Sequence, residues 1–314
     1  MTAFKNYLSL IKFSHSIFAM PFAFIGFFVG IMSLPKIPNV YYNLVENKSA
    51  ADKILLYLHY NGYLLLLVIG CMIFARSAAM AFNRYLDAGF DEKNPRTAVR
   101  EIPAGILKAN HVLLFTIISC IAFIACCYII NSICFYLSPV ALFVVLFYSY
   151  TKRFTALCHL VLGVGLSLAP IGAYLSVTGK FDLLPILFSV AVLCWVSGFD
   201  IIYALQDESF DKKNQLHSIP AALGKKNALR ASVALHILST LAVVYAGWYG
   251  HFGILYGCGI LLFSALLVYQ HWLVKPNDLS KVNLAFFTTN GIASVLFAGF
   301  VIADLFLTHP GPVQ

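Results

Sequence analysis

Residues 183–211 read LLPILFSVAVLCWVSGFDIIYALQDESFD, with one charge in the first 21 positions and then Asp207, Glu208 and Asp211 within five. About 20 residues of helix cross the ~30 Å hydrocarbon core of a bilayer. The stretch therefore reads as a membrane span that ends in a carboxylate cluster. Further runs of the same kind fall near 14–33, 63–82, 112–131, 133–150, 157–177, 232–249, 252–270 and 284–306, rich in Leu, Ile, Phe, Ala and Gly. None alternates polar with apolar residues as a barrel strand does, so helices are the reading. Composition agrees: 61% of the 314 residues are hydrophobic and 11% charged, against about 25% charged in a soluble domain. The sequence predicts an all-α polytopic membrane protein, one domain over 1–314 with about nine transmembrane helices around a central cavity. The first run is long and lacks a small-residue cleavage site, so it reads as a span and not as a cleaved signal.

Lys and Arg set the orientation. With nine spans and an inner N-terminus, the inner segments carry 16 of them, the outer segments 4, and Arg76 lies inside a span. The expected location is a cytoplasmic (inner) membrane with the acidic loops facing the cytoplasm. The net charge of +8 is then explained by topology and lipid contact, and nothing in the sequence suggests a nucleic-acid partner. The eight cysteines all fall in apolar runs without a CxxC pair, and the nine histidines lack ligand spacing. Both read as packing residues, not as a thiol or histidine metal centre.

The carboxylates carry the function. Of thirteen, eight gather in two windows: Asp87, Asp91, Glu92 and Glu101, then Asp200, Asp207, Glu208 and Asp211. Each window follows a span and maps to the inner face. Arg76, Met80, Asn83, Asp87 and Asp91 step by four, three, four and four, which puts them on one face of a helix. Asp200, Tyr203, Asp207 and Asp211 step by three, four and four and are expected to share a face likewise. Stacked carboxylates repel by a few tenths of a kcal/mol unless solvated or neutralised. Hard oxygen ligands so spaced suit Mg²⁺, which bridges carboxylates to the phosphates of a ligand.

An internal echo joins the windows. Asp91-Glu92-Lys93-Asn94 precedes Ile102-Pro103-Ala104, and Asp211-Lys212-Lys213-Asn214 precedes Ile219-Pro220-Ala221. The echo predicts two four-helix units in parallel duplication plus a ninth helix, with one site between them. Arg96, Arg100, Lys152, Arg153, Lys212 and Lys213 accompany the acids. Acid-held Mg²⁺ with converging cations is a way to bind a diphosphate. Arg76 lies deeper, where a charge costs roughly 2.5–3.5 kcal/mol on insertion scales. It is expected to face a polar cavity or to pair with Asp200.

These residues resemble the UbiA superfamily of intramembrane aromatic prenyltransferases. Its first signature, NDxxDxxxD, appears as Asn83-Arg84-Tyr85-Leu86-Asp87-Ala88-Gly89-Phe90-Asp91, followed by Asn94-Pro95-Arg96-Thr97 and Arg100-Glu101-Ile102-Pro103-Ala104-Gly105. Its second, DxxxD, is Asp207 to Asp211. Tyr148-Ser149-Tyr150-Thr151-Lys152-Arg153-Phe154-Thr155 is similar to its short inner loop, and Lys12-Phe13-Ser14-His15 to Met20-Pro21-Phe22-Ala23 fits its N-terminal segment. Arg84 departs from the signature, replacing an Asp and leaving one fewer carboxylate.

The resemblance implies Mg²⁺ held by Asn83, Asp87, Asp91, Asp207 and Asp211, gripping a polyprenyl diphosphate. It implies Lys152, Arg153 and Arg96 at the leaving diphosphate, with Tyr150, Tyr203 or Phe199 shielding an allylic cation through their π faces. Asp87, Asp91, Asp207, Asp211, Lys152 and Arg153 are the expected catalytic set. Arg76, Asn83, Arg96, Tyr150, Asp200 and Tyr203 are the expected substrate-binding set, with Arg76 on the carboxylate of an aromatic acid acceptor. The motif form is most similar to the 4-hydroxybenzoate polyprenyltransferases of quinone biosynthesis, with naphthoate prenylation for menaquinone as the alternative. The rival of another class is a transporter with a cation site at a repeat interface. Its charges would sit near the midplane, and here they gather at one face.

Overall fold

The computed structural model describes residues 2–11, 18–38 and 49–307. Lipid offers no partner to a backbone N–H or C=O, so the apolar runs close their hydrogen bonds within helices. In chain order these are α1 (Thr2–Leu10), α2 (Met20–Ser33), α3 (Ala50–Asn61), α4 (Tyr63–Lys93), α5 (Ala109–Ile130), α6 (Ser132–Thr151), α7 (Cys158–Thr178) and α8 (Leu183–Ala204). The short α9 (Glu208–Lys213), then α10 (Ile219–Tyr249), α11 (Ile254–Leu273), a π-helical turn at Leu284–Thr289 and α12 (Asn290–Leu307) complete the chain.

Among the described residues, eight helical segments are long and apolar enough to cross a membrane. The ninth predicted span is represented by α2, a shorter apolar helix of 14 residues. At 1.5 Å per residue it is about 21 Å long, and residues 14–17 of the predicted run, like the Lys12–His15 motif, lie outside the described residues. The 34–62 stretch, between the first two predicted spans, is partly helical. Its α3 is capped by Ser49, whose hydroxyl accepts the Asp52 N–H, and Lys53 Nζ donates to the carbonyls of Met32 (3.1 Å) and Leu34 (2.7 Å). That pins α3 against the end of α2, with Ile54 and Tyr57 buried. Residues 39–48 lie outside the described residues.

The interior is built on α2, α7, α8 and α12. Phe22, Trp195 and Phe297 meet there with ring centroids 5.3 and 5.8 Å from Phe22. Trp195 Nε1 donates to Asn290 Oδ1 at 3.0 Å, and Gln270 Nε2 donates to the same oxygen at 2.6 Å. Glycine allows the closest approach between helices. A methyl group on Gly163 of α7 would run into the Leu193 carbonyl and Ser197 of α8. This tight α7–α8 crossing brings the first turn of α7 beside the last turns of α8.

At the inner end the second acidic window is not one continuous helix. Helix α8 stops at Ala204, Leu205–Asp207 tighten into a 3₁₀ turn, and Asp207 leaves helical backbone geometry (φ −99°, ψ 2°) before α9 begins. Helix α10 starts on a Ser218 cap with Pro220 in its first turn, and breaks at Gly224 (φ 73°), a backbone conformation suited to glycine. By contrast α4 runs 31 residues without interruption.

Candidate active site

A cavity of about 300 Å³ opens among the inner ends of α4, α6, α7 and α8, the π-helical turn and the α4–α5 connection. Arg76, Met80, Asn83, Asp87 and Asp91 all line it, as the 3–4 spacing on an unbroken helix requires. Asp200, Tyr203 and Asp207 line the facing wall, with Phe199 beside them. Six Lys and Arg side chains and four Asp side chains face this space, a surplus of positive charge that suits an anionic ligand.

The carboxylates are tied to cations from other segments. Asp207 pairs with Arg96, whose Nε lies 3.0 Å from Oδ1 and whose Nη1 donates to Tyr203 Oη at 2.9 Å. Burial alone would lower the Arg96 pKa, but Asp207 and Tyr203 outweigh it and hold the guanidinium above its ordinary value. Arg100 Nη1 reaches both oxygens of Asp91 at 2.6 and 2.8 Å. Arg153 donates to the Leu86 carbonyl at 2.8 Å and stands 3.4 Å from Asp87, which accepts from Asn83 Nδ2 at 2.9 Å. The α4–α5 connection is itself ordered by Asn94, which accepts the Arg96 N–H at 3.0 Å, and by Thr97, whose hydroxyl donates to the Asp91 carbonyl.

Three placements differ from the sequence reading. Asp211 does not line the cavity. It is fully buried, 2.7 Å from Lys152 Nζ, and accepts from Ser218 Oγ at 2.8 Å. The 3₁₀ turn breaks the register that would have put it on one face with Asp207. Tyr150 also lies off the cavity, 40% exposed beneath the Arg153 guanidinium, whereas Tyr148, two positions earlier on α6, lines it. Nor does Arg76 pair with Asp200. Asp200 is held by His159 Nδ1 at 2.7 Å, and Arg76 Nε is buried without a hydrogen-bond partner among the described residues. His159 and the cavity-lining Arg84, also buried with an unpartnered Nε, were not candidates from sequence.

A second cavity, about 380 Å³ and almost wholly apolar, runs along α4, α5, α6 and α7. Arg76, Met80, Tyr148, Leu162 and Leu166 line both spaces, so they mark where polar cavity passes into apolar one.

Residues 56–292 match the UbiA prenyltransferase family. The chain belongs to this family. A 4-hydroxybenzoate octaprenyltransferase from Tolumonas auensis is 32% identical over 77% of this chain and 85% of its own length. A 4-hydroxybenzoate octaprenyltransferase from Aeromonas hydrophila is 32% identical over 76% and 83%. Among solved structures, the apo form of a UbiA homologue from Aeropyrum pernix K1 superposes with a TM-score of 0.76 at 26% identity, covering 93% of this chain and 98% of that one. A UbiA homologue from Archaeoglobus fulgidus, solved with DMAPP and Mg²⁺, shares the fold at 20% identity and a TM-score of 0.65, over 96% and 99%. This UbiA family member is therefore a multi-pass membrane protein, and the family's two acidic signatures fall at its polar cavity, except that Asp211 sits behind the wall and Arg84 brings a cation into it.

Proposed function

We propose that this protein transfers a polyprenyl group from polyprenyl diphosphate to an aromatic acid, 4-hydroxybenzoate first, with a naphthoate as the alternative acceptor. The observation that carries the reading is the passage from a cation-rich cavity into an apolar one at Arg76. An amphiphile with a diphosphate head and a hydrocarbon tail needs that sequence of environments. The curated relatives named above support 4-hydroxybenzoate as the acceptor.

The donor set suits Mg²⁺. Asn83, Asp87, Asp91, Asn94 and Asp207 offer only oxygen acceptors beside amide groups, and among the described residues no three His, Cys, Asp or Glu form a ready cage. Mg²⁺ characteristically binds through one or two carboxylates and completes its shell with water and substrate phosphate. Asn83, Asp87 and Asp91 on one wall and Asp207 on the other would hold it. When bound it supplies charge neutralisation at the diphosphate. Arg96, Arg100, Arg153 and Lys152 then do the chain's own share. They bind the diphosphate oxygens and stabilise the charge that grows as the C1–O bond breaks. Asp211 acts at one remove, holding Lys152 in place. Tyr148 and Met80 border the position of C1, and the apolar cavity takes the tail. Arg76, a fixed cation next to C1, receives the acceptor's carboxylate.

Purified protein with a labelled polyprenyl diphosphate and a panel of aromatic acids tests this reading. Prenylated acid and free diphosphate should appear together, stop with EDTA and resume with Mg²⁺. Arg76→Ala should raise the KM for the acid far more than for the diphosphate. Substrate movement across vesicles without diphosphate release would favour the transporter reading instead.

A further inference from the structure

From the His159–Asp200 pair we infer that His159 is the base that takes the acceptor's hydroxyl proton and that Asp200 is its positioning residue. The inference rests on the aromatic-acceptor reading above.

Two ionisable side chains face each other across the tight α7–α8 crossing. His159, in the first turn of α7, is 3% exposed, and its Nδ1 lies 2.7 Å from Asp200 Oδ2 on α8. With Asp200 as carboxylate and the imidazole neutral, Nδ1 carries the proton and donates it, and Nε2 presents a lone pair. That is the tautomer a general base needs, fixed by a carboxylate on the far nitrogen. The crossing is further pinned by Ser197, whose hydroxyl donates to the His159 carbonyl at 3.1 Å. A pair that served only to hold two helices together would need Nδ1 alone. Here Nε2 is buried without a hydrogen-bond partner among the described residues, and the adjacent Cys158 thiol is turned toward the carbonyls of Ala156 and His217. Leaving a buried polar atom without a partner is unfavourable, so it points to a ligand.

The ligand's place is set by its neighbours. His159 and Asp200 line the polar cavity with Arg76, Tyr148 and Leu162, three residues that also border the apolar cavity. Arg76 and His159 therefore stand at the passage where C1 of the prenyl chain would lie. A para-hydroxy acid has a carboxylate at one end and a hydroxyl at the other. Arg76 matches the first and His159 Nε2 the second, which selects phenolic acids over acids without the hydroxyl.

The step balances within the substrates. The C1–O bond breaks and its electron pair leaves with diphosphate. The ring carbon ortho to the hydroxyl supplies the pair for the new C–C bond as His159 Nε2 takes the hydroxyl proton, giving a ring ketone. The proton on the substituted carbon then passes to water, and its C–H pair restores the aromatic ring. The oxygen takes its proton back from His159. One proton and one diphosphate are released, with no oxidant or reductant.

His159→Gln and Asp200→Asn are to be compared with wild type in Mg²⁺-supplemented detergent or vesicles. For His159→Gln, kcat with 4-hydroxybenzoate should fall by about 100-fold or more, the range for loss of a general base. The KM for polyprenyl diphosphate should change little. A ring-fluorinated 4-hydroxybenzoate, whose hydroxyl ionises more readily, should recover a large part of the deficit relative to wild type. Asp200→Asn should show the same acceptor-dependent pattern, and it carries the test if His159→Gln fails to fold. Equal deficits on both acceptors, a parallel rise in the diphosphate KM, or near-normal rates in Asp200→Asn would overturn the inference while leaving the prenyl-transfer reading intact. A wild-type protein inert toward every phenolic acid would overturn both.

Discussion

The Lys152–Asp211 pair shows how a signature carboxylate can serve a site without touching it. Asp211 is fully buried, and Lys152 and Ser218 are its two partners through the side chain. Removing one member of such a pair strands a charge, at a cost of roughly 3–5 kcal/mol. Lys152→Met should therefore lower both thermal stability and diphosphate use. Asp211→Asn, which keeps the Ser218 contact and leaves unpaired only the partly exposed Lys152 ammonium, should lower diphosphate use with a smaller loss of stability. If Asp211 acts through Lys152, the double variant should be no worse in diphosphate KM than the poorer single one, a coupling that a double-mutant cycle measures directly. Additive losses would mean that Asp211 contacts the ligand on its own. At this scale the sequence was legible where one helix carries the pattern: Arg76, Asn83, Asp87 and Asp91 follow from 3–4 spacing alone. The partners of those residues were not, because Arg96, Arg100 and Arg153 reach them from connections whose geometry no periodicity encodes. His159 left a trace that went unread. Asp200 lies inside a span and needs a partner, and His159 is the one basic group in the neighbouring α7.

Helix α4 and the α8–α9 segment differ in a way that composition does not announce. Both continue an apolar span into an acidic stretch, yet only α4 stays helical through it; a 3₁₀ turn redirects the other. The consequence is one wall with Asn83, Asp87 and Asp91 aligned along a helix and a second wall to which the DxxxD signature contributes Asp207 but not Asp211. Tyr148 and Tyr150 teach the same lesson, since two positions on a helix are about 200° apart and the motif could not say which faces inward. Helix α7 offers a test of the apolar cavity. Gly172 lines that cavity, and a side chain there would meet nothing within 4 Å of its Cβ. Gly172→Phe should fill part of the space without disturbing the helix contacts. Turnover with a long polyprenyl diphosphate should fall severalfold more than turnover with a two- or three-isoprene donor, while the acceptor KM holds. A uniform loss across chain lengths would mean that the tail takes another route.

For the molecule as a whole, charge placement predicts the side on which the polar cavity opens. The acidic windows and the basic turn at Lys152–Arg153 lie at one end of the bundle. That end holds most of the Lys and Arg outside the spans, 16 against 4. By the positive-inside rule that end is predicted to face the cytoplasm, where a water-borne aromatic acid and a diphosphate headgroup could both reach it. The prediction rests on the long segments from α4 to α12 and needs no help from α2. At about 21 Å that helix is shorter than the hydrocarbon core, and it stays in the bundle by packing Gly26 onto the Pro170 backbone of α7. A fluorescent protein that matures only in the cytoplasm, fused after Pro276 in the α11–α12 connection, should fluoresce. The same fusion after Lys180, between α7 and α8, should stay dark. The reverse pattern would put the cavity on the outer face, and the source of the acceptor would then have to be extracytoplasmic.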